Sequence, residues 1–221
     1  MHSVLHARLA AAVSLFLLVC AGCSTNKDAA EAAGKFSSLG RIAILRLDRG
    51  EPTSDAALPE RAAENPNPRL ASNAETVITA HLYGVLSNDP RWRLAPDVDV
   101  EEVMRELPLA GTLESRAQAL GNAIEADAVI TGVVSRFQER VGTDYGARFP
   151  ASVAFELRLV GTKTGEVLWS GAFNQTQTDL SANLLDFWMF WSAGPKWFTA
   201  AELAQLGVQK LVEEMDEALD E

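Results

Sequence analysis

Ala128-Val129-Ile130-Thr131-Gly132-Val133-Val134-Ser135-Arg136-Phe137 decides the fold class. β-Branched residues dominate the stretch and its pattern has period two, which reads as a strand. Val129, Thr131, Val133, Ser135 and Phe137 fall on one face, Ile130 and Val134 on the other. Two further strands follow, Ser152 to Val160 and Glu166 to Thr176. Gly161-Thr162-Lys163-Thr164-Gly165 joins them as a hairpin, with glycine supplying a positive φ.

Working outward, the chain before this sheet is mostly helical. Ser72 and Glu75 are spaced as a capping box. Ala74, Val77, Ile78, Leu82, Val85 and Leu86 then recur at helical spacing until Asn88-Asp89-Pro90. Trp92-Arg93-Leu94 reads as a short strand. Asp99 and Glu102 open a second helix with Val100, Val103, Met104 and Leu107 on one face, and Pro108 to Gly111 breaks it. A third helix is predicted from Leu113 to about Ile124, with Gly121 a candidate interruption. Upstream, Gly40 to Leu47 reads as the first strand. Asp48 to Leu70, with four prolines and no apolar period, reads as a long surface loop. Downstream, Thr199 and Glu202 form a capping pair for a last helix whose inner face is Leu203, Leu206, Leu211, Val212, Met215 and Leu219. The order predicts an α/β domain, a single mixed β-sheet with helices packed against one face.

The N-terminus has a different logic. His2, His6 and Arg8 precede an uncharged apolar run, Leu9 to Val19, and then Cys20-Ala21-Gly22-Cys23. This is the layout of a cleaved signal peptide, and the run is short for a permanent span. Ala21-Gly22-Cys23 resembles the lipobox of bacterial lipoproteins, with Cys20 where leucine is usual. The resemblance implies cleavage before Cys23, lipid on that cysteine, and no disulfide in the mature chain. Ser24 implies sorting to the outer membrane. The expected organisation is a signal peptide over residues 1–22, a flexible tether over 23–38 and an α/β domain over 39–221. Cleavage removes Arg8, leaving 18 basic against 30 acidic residues. So acidic a chain repels nucleic acid, which is excluded as a partner.

Residues that could carry chemistry are scarce. The mature chain keeps one histidine, His81, with no second histidine or free cysteine beside it, so neither a metal site nor a nucleophile–base pair is expected. Ser24-Thr25-Asn26-Lys27 and Lys163-Thr164-Gly165 imitate motifs of serine penicillin-binding enzymes. The first lies on the tether and the second is explained by the hairpin turn. No G-x-S-x-G, dinucleotide loop or phosphate loop is present. No catalytic residue, metal or cofactor is expected, and the chain is read as a non-enzyme. Glu101, Glu102 and Glu106, and also Glu213, Glu214, Asp216 and Glu217, read as solvated helix faces. One stretch stands out: Phe187-Trp188-Met189-Phe190-Trp191 with Trp197-Phe198 gathers three of the five tryptophans. Such residues either cap the sheet or form a binding hot spot. Five large residues in a row cannot all point inward, so Phe187, Trp188, Phe190, Trp191 and Trp197 are the candidate partner-binding residues.

Four segments carry a family resemblance: Arg41-Ile42-Ala43-Ile44-Leu45, Asp89-Pro90-Arg91-Trp92, Ala126-Asp127-Ala128-Val129-Ile130-Thr131-Gly132-Val133 and Thr164-Gly165-Glu166-Val167-Leu168-Trp169. Over about residues 40 to 215 the chain resembles the CsgG, LpoB and TolB N-terminal-domain family of bacterial envelope proteins. The resemblance implies a sheet with packed helices, not one function. The chain departs from the pore-forming branch: Glu139 to Ala151 is too short and too charged for a membrane hairpin. The expectation is an outer-membrane lipoprotein facing the periplasm, held to the membrane by lipid on Cys23. It would act as a non-enzymatic accessory or assembly factor that binds an envelope protein. The alternatives are an activator of a peptidoglycan synthase, as LpoB is, or a homo-oligomer within a secretion complex, as CsgG is.

Overall fold

The structure, a computed structural model, describes residues 40–51, 64–107, 110–177 and 196–220. Their elements in chain order are β1 (Ile42–Ile44), β2 (Asp48–Arg49), α1 (Ala74–Leu86), α2 (Asp97–Glu106), α3 (Leu113–Ala123), β3 (Ala128–Gln138), β4 (Val141–Thr143), β5 (Gly146–Phe149), β6 (Ser152–Gly161), β7 (Val167–Thr176) and α4 (Ala200–Asp220). The main sheet runs β1-β3-β6-β7, with β2 pairing β3 beyond the end of β1. β1 and β2 lie parallel to β3, whereas β6 and β7 follow as antiparallel neighbours. This is the mixed sheet with packed helices that the strand and helix periods predict.

The helices do not keep to one face. Ala43, Leu45, Val129 and Val160 point to one side and join Val100 of α2 and Ala117 and Leu120 of α3 in a buried cluster. The alternate residues Ile42, Ile44, Ile130, Phe155, Leu157 and Leu159 are as deeply buried on the other side. There α4 sits so close that a Cβ on Gly207 would lie 2.6 Å from Phe173 Cδ1. α1 lies beside α4, His81 reaching the Ala201 backbone. The cause is written in β3: Val129 and Ile130 are both apolar, and each excludes water from its own face. Each such side chain contributes about 1.5–3 kcal/mol when fully buried.

The pattern of β3 breaks at Ser135. Val134 pairs with Phe155 and Arg136 with Ala154, so Ser135 is an unpaired bulge residue. The bulge reverses the alternation and places Phe137 on the face of Ile130 and Val134, not with Val129 as simple period two predicts. A second departure concerns 48–70. Its ends are built into the sheet: Asp48 and Arg49 form β2, and Leu70 bridges Phe137. Asn65 is buried, and its amide donates to the Glu139 carbonyl at 2.8 Å. Within Glu139 to Ala151, read from sequence as too short and too charged for a membrane hairpin, Val141–Thr143 and Gly146–Phe149 form the small β4–β5 ribbon with Tyr145 at its exposed tip.

Caps follow the competition for each side chain. Thr199 and Glu202 form the expected box: the Glu202 N–H donates to Thr199 Oγ1 at 3.2 Å and the Thr199 N–H to Glu202 Oε2 at 2.9 Å. The Ser72–Glu75 box does not form. Asn73 is the N-cap of α1, and Glu75 instead takes the Arg49 guanidinium at 2.7 Å, a charge-assisted bond that outbids a neutral cap. α2 starts at Asp97 after Pro96, ahead of the predicted Asp99. α3 runs straight through Gly121, because a Cβ there would lie 2.3 Å from Thr162 Oγ1. At the sheet's entry, Asp127 Oδ2 accepts the N–H groups of Gly40 and Arg41, each at 2.8 Å, while Arg93 Nε donates to the Gly40 carbonyl at 2.7 Å. No helix among the described residues is long and apolar enough to cross a membrane.

Candidate protein-binding groove

β1 is an edge strand, and only part of its outer edge is covered. In the parallel ladder with β3, the odd-numbered residues turn their polar groups inward, as in the 2.9 Å bond from Leu45 N–H to the Ile130 carbonyl. The even-numbered residues turn outward. Ile42 is paired on that side: its N–H donates to the Arg93 carbonyl at 2.9 Å, and its carbonyl accepts from Ala95 N–H at 2.7 Å. The next step of that bridge would serve Ile44. Pro96 prevents it, because proline has no N–H and its fixed φ turns the chain into α2. Among the described residues, no group accepts from the outward N–H of Ile44 or donates to its carbonyl.

A groove of about 480 Å³ opens along this edge. Ile44, Leu45 and Arg46 form its floor. Thr76, Ala80 and Tyr83 of α1 form one wall, and Asp97, Glu101, Met104 and Arg105 of α2 the other. It is lined from both faces of the sheet, so it lies at the sheet's side. Arg116 closes one end, bound to Asp48 at 2.6 Å. Ile44 is 1% exposed, so its backbone groups, without a partner among the described residues, sit at the bottom of the groove, where lacking a partner is costly.

The groove is polarised. Asp97, Glu101 and Arg105 recur every four residues and therefore line one stripe of α2. The hydroxyl of Tyr83 is buried without a hydrogen-bond partner among the described residues. Burial, then the Asp97 and Glu101 carboxylates, push its pKa well above the ordinary phenol value. A backbone donor and acceptor, apolar side chains on the floor and a charged wall are the groups that hold an extended chain.

The residues singled out in the sequence fall elsewhere. Cys23, Phe187, Trp188, Phe190 and Trp191 lie outside the described residues. Trp197 is half-buried, and its N–H donates to the Asp144 carbonyl at 2.7 Å, which ties the segment before α4 to the β4–β5 ribbon. Its neighbour Phe198 is buried in the core. His81 is half-buried, and burial lowers its pKa against a weaker opposing interaction of its ring N–H with the Ala201 backbone. It is a helical histidine beside α4. Among the described residues, no group of three His, Cys, Asp or Glu is placed to hold a metal ion. Two acidic readings change. Glu101 is exposed but belongs to the groove wall. Asp216 is half-buried and bound to Arg91 at 2.6 Å, because its face of α4 meets the turn after α1. Sequence reasoning passed over the groove, whose local traces are Pro96 after a bridging Leu94 and the four-residue spacing of Asp97, Glu101 and Arg105.

No protein-family model and no curated protein matches the sequence. Solved structures similar to the chain include a PelC dodecamer from Paraburkholderia phytofirmans, at 14% identity, 81% of this chain, 86% of that chain and a TM-score of 0.44. Lipoprotein GNA1162 from Neisseria meningitidis is similar at 20% identity, 69% of this chain, 91% of that chain and a TM-score of 0.42. The LpoB C-terminal domain from Salmonella enterica is similar at 18% identity, 66% of this chain, 96% of that chain and a TM-score of 0.40.

Proposed function

We propose that this chain is an envelope lipoprotein that works as a non-enzymatic accessory factor by binding another envelope protein. Residues 1–22 are its signal peptide, lipid on Cys23 holds it to the outer membrane, and residues 23–38 tether a periplasm-facing domain. The N-terminal layout supports the anchor. The binding role rests chiefly on one observation: an edge strand whose Ile44 backbone groups have no partner among the described residues, at the floor of a walled groove. Edges are normally paired, covered or blunted, and one kept open but recessed fits a partner.

The test is a crosslinking pull-down from envelope membranes with the lipidated chain as bait, beside a Trp188→Ala, Trp191→Ala variant that still folds and a Cys23→Ala variant. Capture of one envelope protein by the wild type supports the reading, and loss of capture in the tryptophan variant assigns that stretch to the contact. Capture of a peptidoglycan synthase selects the activator alternative. Capture of the bait alone overturns the adaptor reading in favour of a self-assembling component. The Cys23→Ala chain should leave the membrane fraction.

A further inference from the structure

Resting on the protein-binding reading, we infer that the groove receives an extended peptide segment of the partner, which adds as a strand beside Ile44. The Ile44 N–H would donate to the segment's backbone and the Ile44 carbonyl would accept from it, completing the edge that Pro96 interrupts. Alternate side chains of an added strand point to opposite walls. Those facing α2 recur every two residues, about 6.6 Å apart. The stripe Asp97, Glu101, Arg105 recurs every four helical residues, about 6 Å apart. The two periods match over the length of the groove, so the side chains on that side meet carboxylate, carboxylate and guanidinium in turn. The segment therefore carries basic residues at the two positions facing Asp97 and Glu101, and an acidic residue two positions further on, against Arg105. Neither carboxylate has an ion-pair partner among the described residues. On the α1 side the wall is small at Thr76 and Ala80 and then bulky at Tyr83, so the side chains on that side meet an uncharged surface.

The other occupants fit less well. A second copy would bring the same recessed edge, and two floors walled by helices cannot reach each other. Of this chain's own segments, residues 52–63 contain Pro52 and Pro59, which cannot donate to a ladder, and residues 178–195 carry no basic side chain to meet Asp97 and Glu101. Residues 24–38 are rich in alanine and lack β-branched residues apart from Thr25.

The experiment uses the full-length protein and capped eight-residue peptides. One alternates valine with two successive lysines and a glutamate; a second replaces the charged residues by serine; a third places proline at two ladder positions. Binding is read by fluorescence anisotropy, and amide exchange is followed over residues 42–46. The first peptide should bind and slow exchange at Ile44, the serine peptide should bind more weakly, and the proline peptide should give no protection. Ala80→Trp, at an exposed position of the wall, should weaken binding by about tenfold or more. Thr76→Trp serves if Ala80→Trp does not fold. Binding equal in the wall variant, or no protection at Ile44 by any peptide, overturns the proposal. So does protection in the free protein that disappears on dimer dissociation or when residues 24–38 are replaced by a glycine–serine linker. A wild-type pull-down that captures an envelope protein as well with Ala80→Trp as without it sinks the groove and leaves the adaptor function standing.

Discussion

Glu139, at the end of β3, closes the first turn of α4: its carboxylate accepts the N–H of Ala200 at 3.2 Å from Oε1 and 3.1 Å from Oε2. A helix begins with unsatisfied N–H groups and a partial positive charge. The sheet thus supplies from 61 residues away what the local Thr199–Glu202 box cannot. Glu139→Ala should cost about 1–2 kcal/mol, and Glu139→Gln less, since an amide oxygen still accepts. Urea denaturation monitored by circular dichroism checks the order.

Gly121 and Thr162 are a matched pair. The absent Cβ leaves room for the threonine hydroxyl and for Val129. Gly121→Ala gains up to about 1 kcal/mol in helix propensity but overpacks by about 1–3 kcal/mol, so the net change is a loss. Combining it with Thr162→Ala removes the 2.3 Å collision. The double variant should be more stable than the sum of the singles predicts, by about 0.5 kcal/mol or more. A double-mutant cycle in denaturant reads this directly.

The acid limb of the stability curve has opposing contributors. The carboxyl of Asp89 is held low by its bonds to Arg91, and that of Glu114 by its own backbone N–H and then Arg158. Burial works to raise that of Glu202, but its bonds to Lys196 and Thr199 outweigh burial and leave it low. A depressed folded pKa gives stability that is present above the unfolded value and lost as pH falls through the folded one. Asp216 has the reverse sign: burial raises it, so its contribution is lost as pH rises past its unfolded value. Melting temperature should therefore fall below about pH 4.5. Glu202→Gln should make the fall shallower and Asp216→Asn should make it steeper; unchanged slopes in both would refute the assignment.

Removing the Asp127 carboxylate strands two backbone donors at the start of the sheet. Asp127→Ala should cost about 1–3 kcal/mol. It should also speed amide exchange at Ala43 of β1 and at Leu45 just after it more than in β6. Equal acceleration in both strands would mean that β1 opens only with the whole fold.

The long periodic elements were legible in the sequence because each is set by its own residues. β6, β7, α1 and α3 fall within a few residues of their predicted bounds. What escaped depends on partners distant in sequence. The Ser135 bulge exists only relative to β6, so Phe137 reads to the wrong face. Glu75 is an ideal box residue until Arg49 arrives from β2. Two residues of β2 carry no period at all. Helices on both faces follow from the doubly apolar β3, whereas the order of elements alone points to one covered face. The groove joins residue 44, one face of α1 and one stripe of α2, and no window of sequence contains all three. The aromatic candidates at 187, 188, 190 and 191 lie outside the described residues, and Trp197 is a half-buried tie to the ribbon.

The double bond from Asp127 to Gly40 and Arg41, with Arg93 on the Gly40 carbonyl, has a mechanical consequence. These bonds grip the chain at the point where the preceding residues enter the domain. Tension arriving from the N-terminal side meets this grip first, and only then the β1–β3 ladder, along whose length the parallel strands share the load in shear. A pull from that end would load these three bonds before it reached β1 and the floor of the groove.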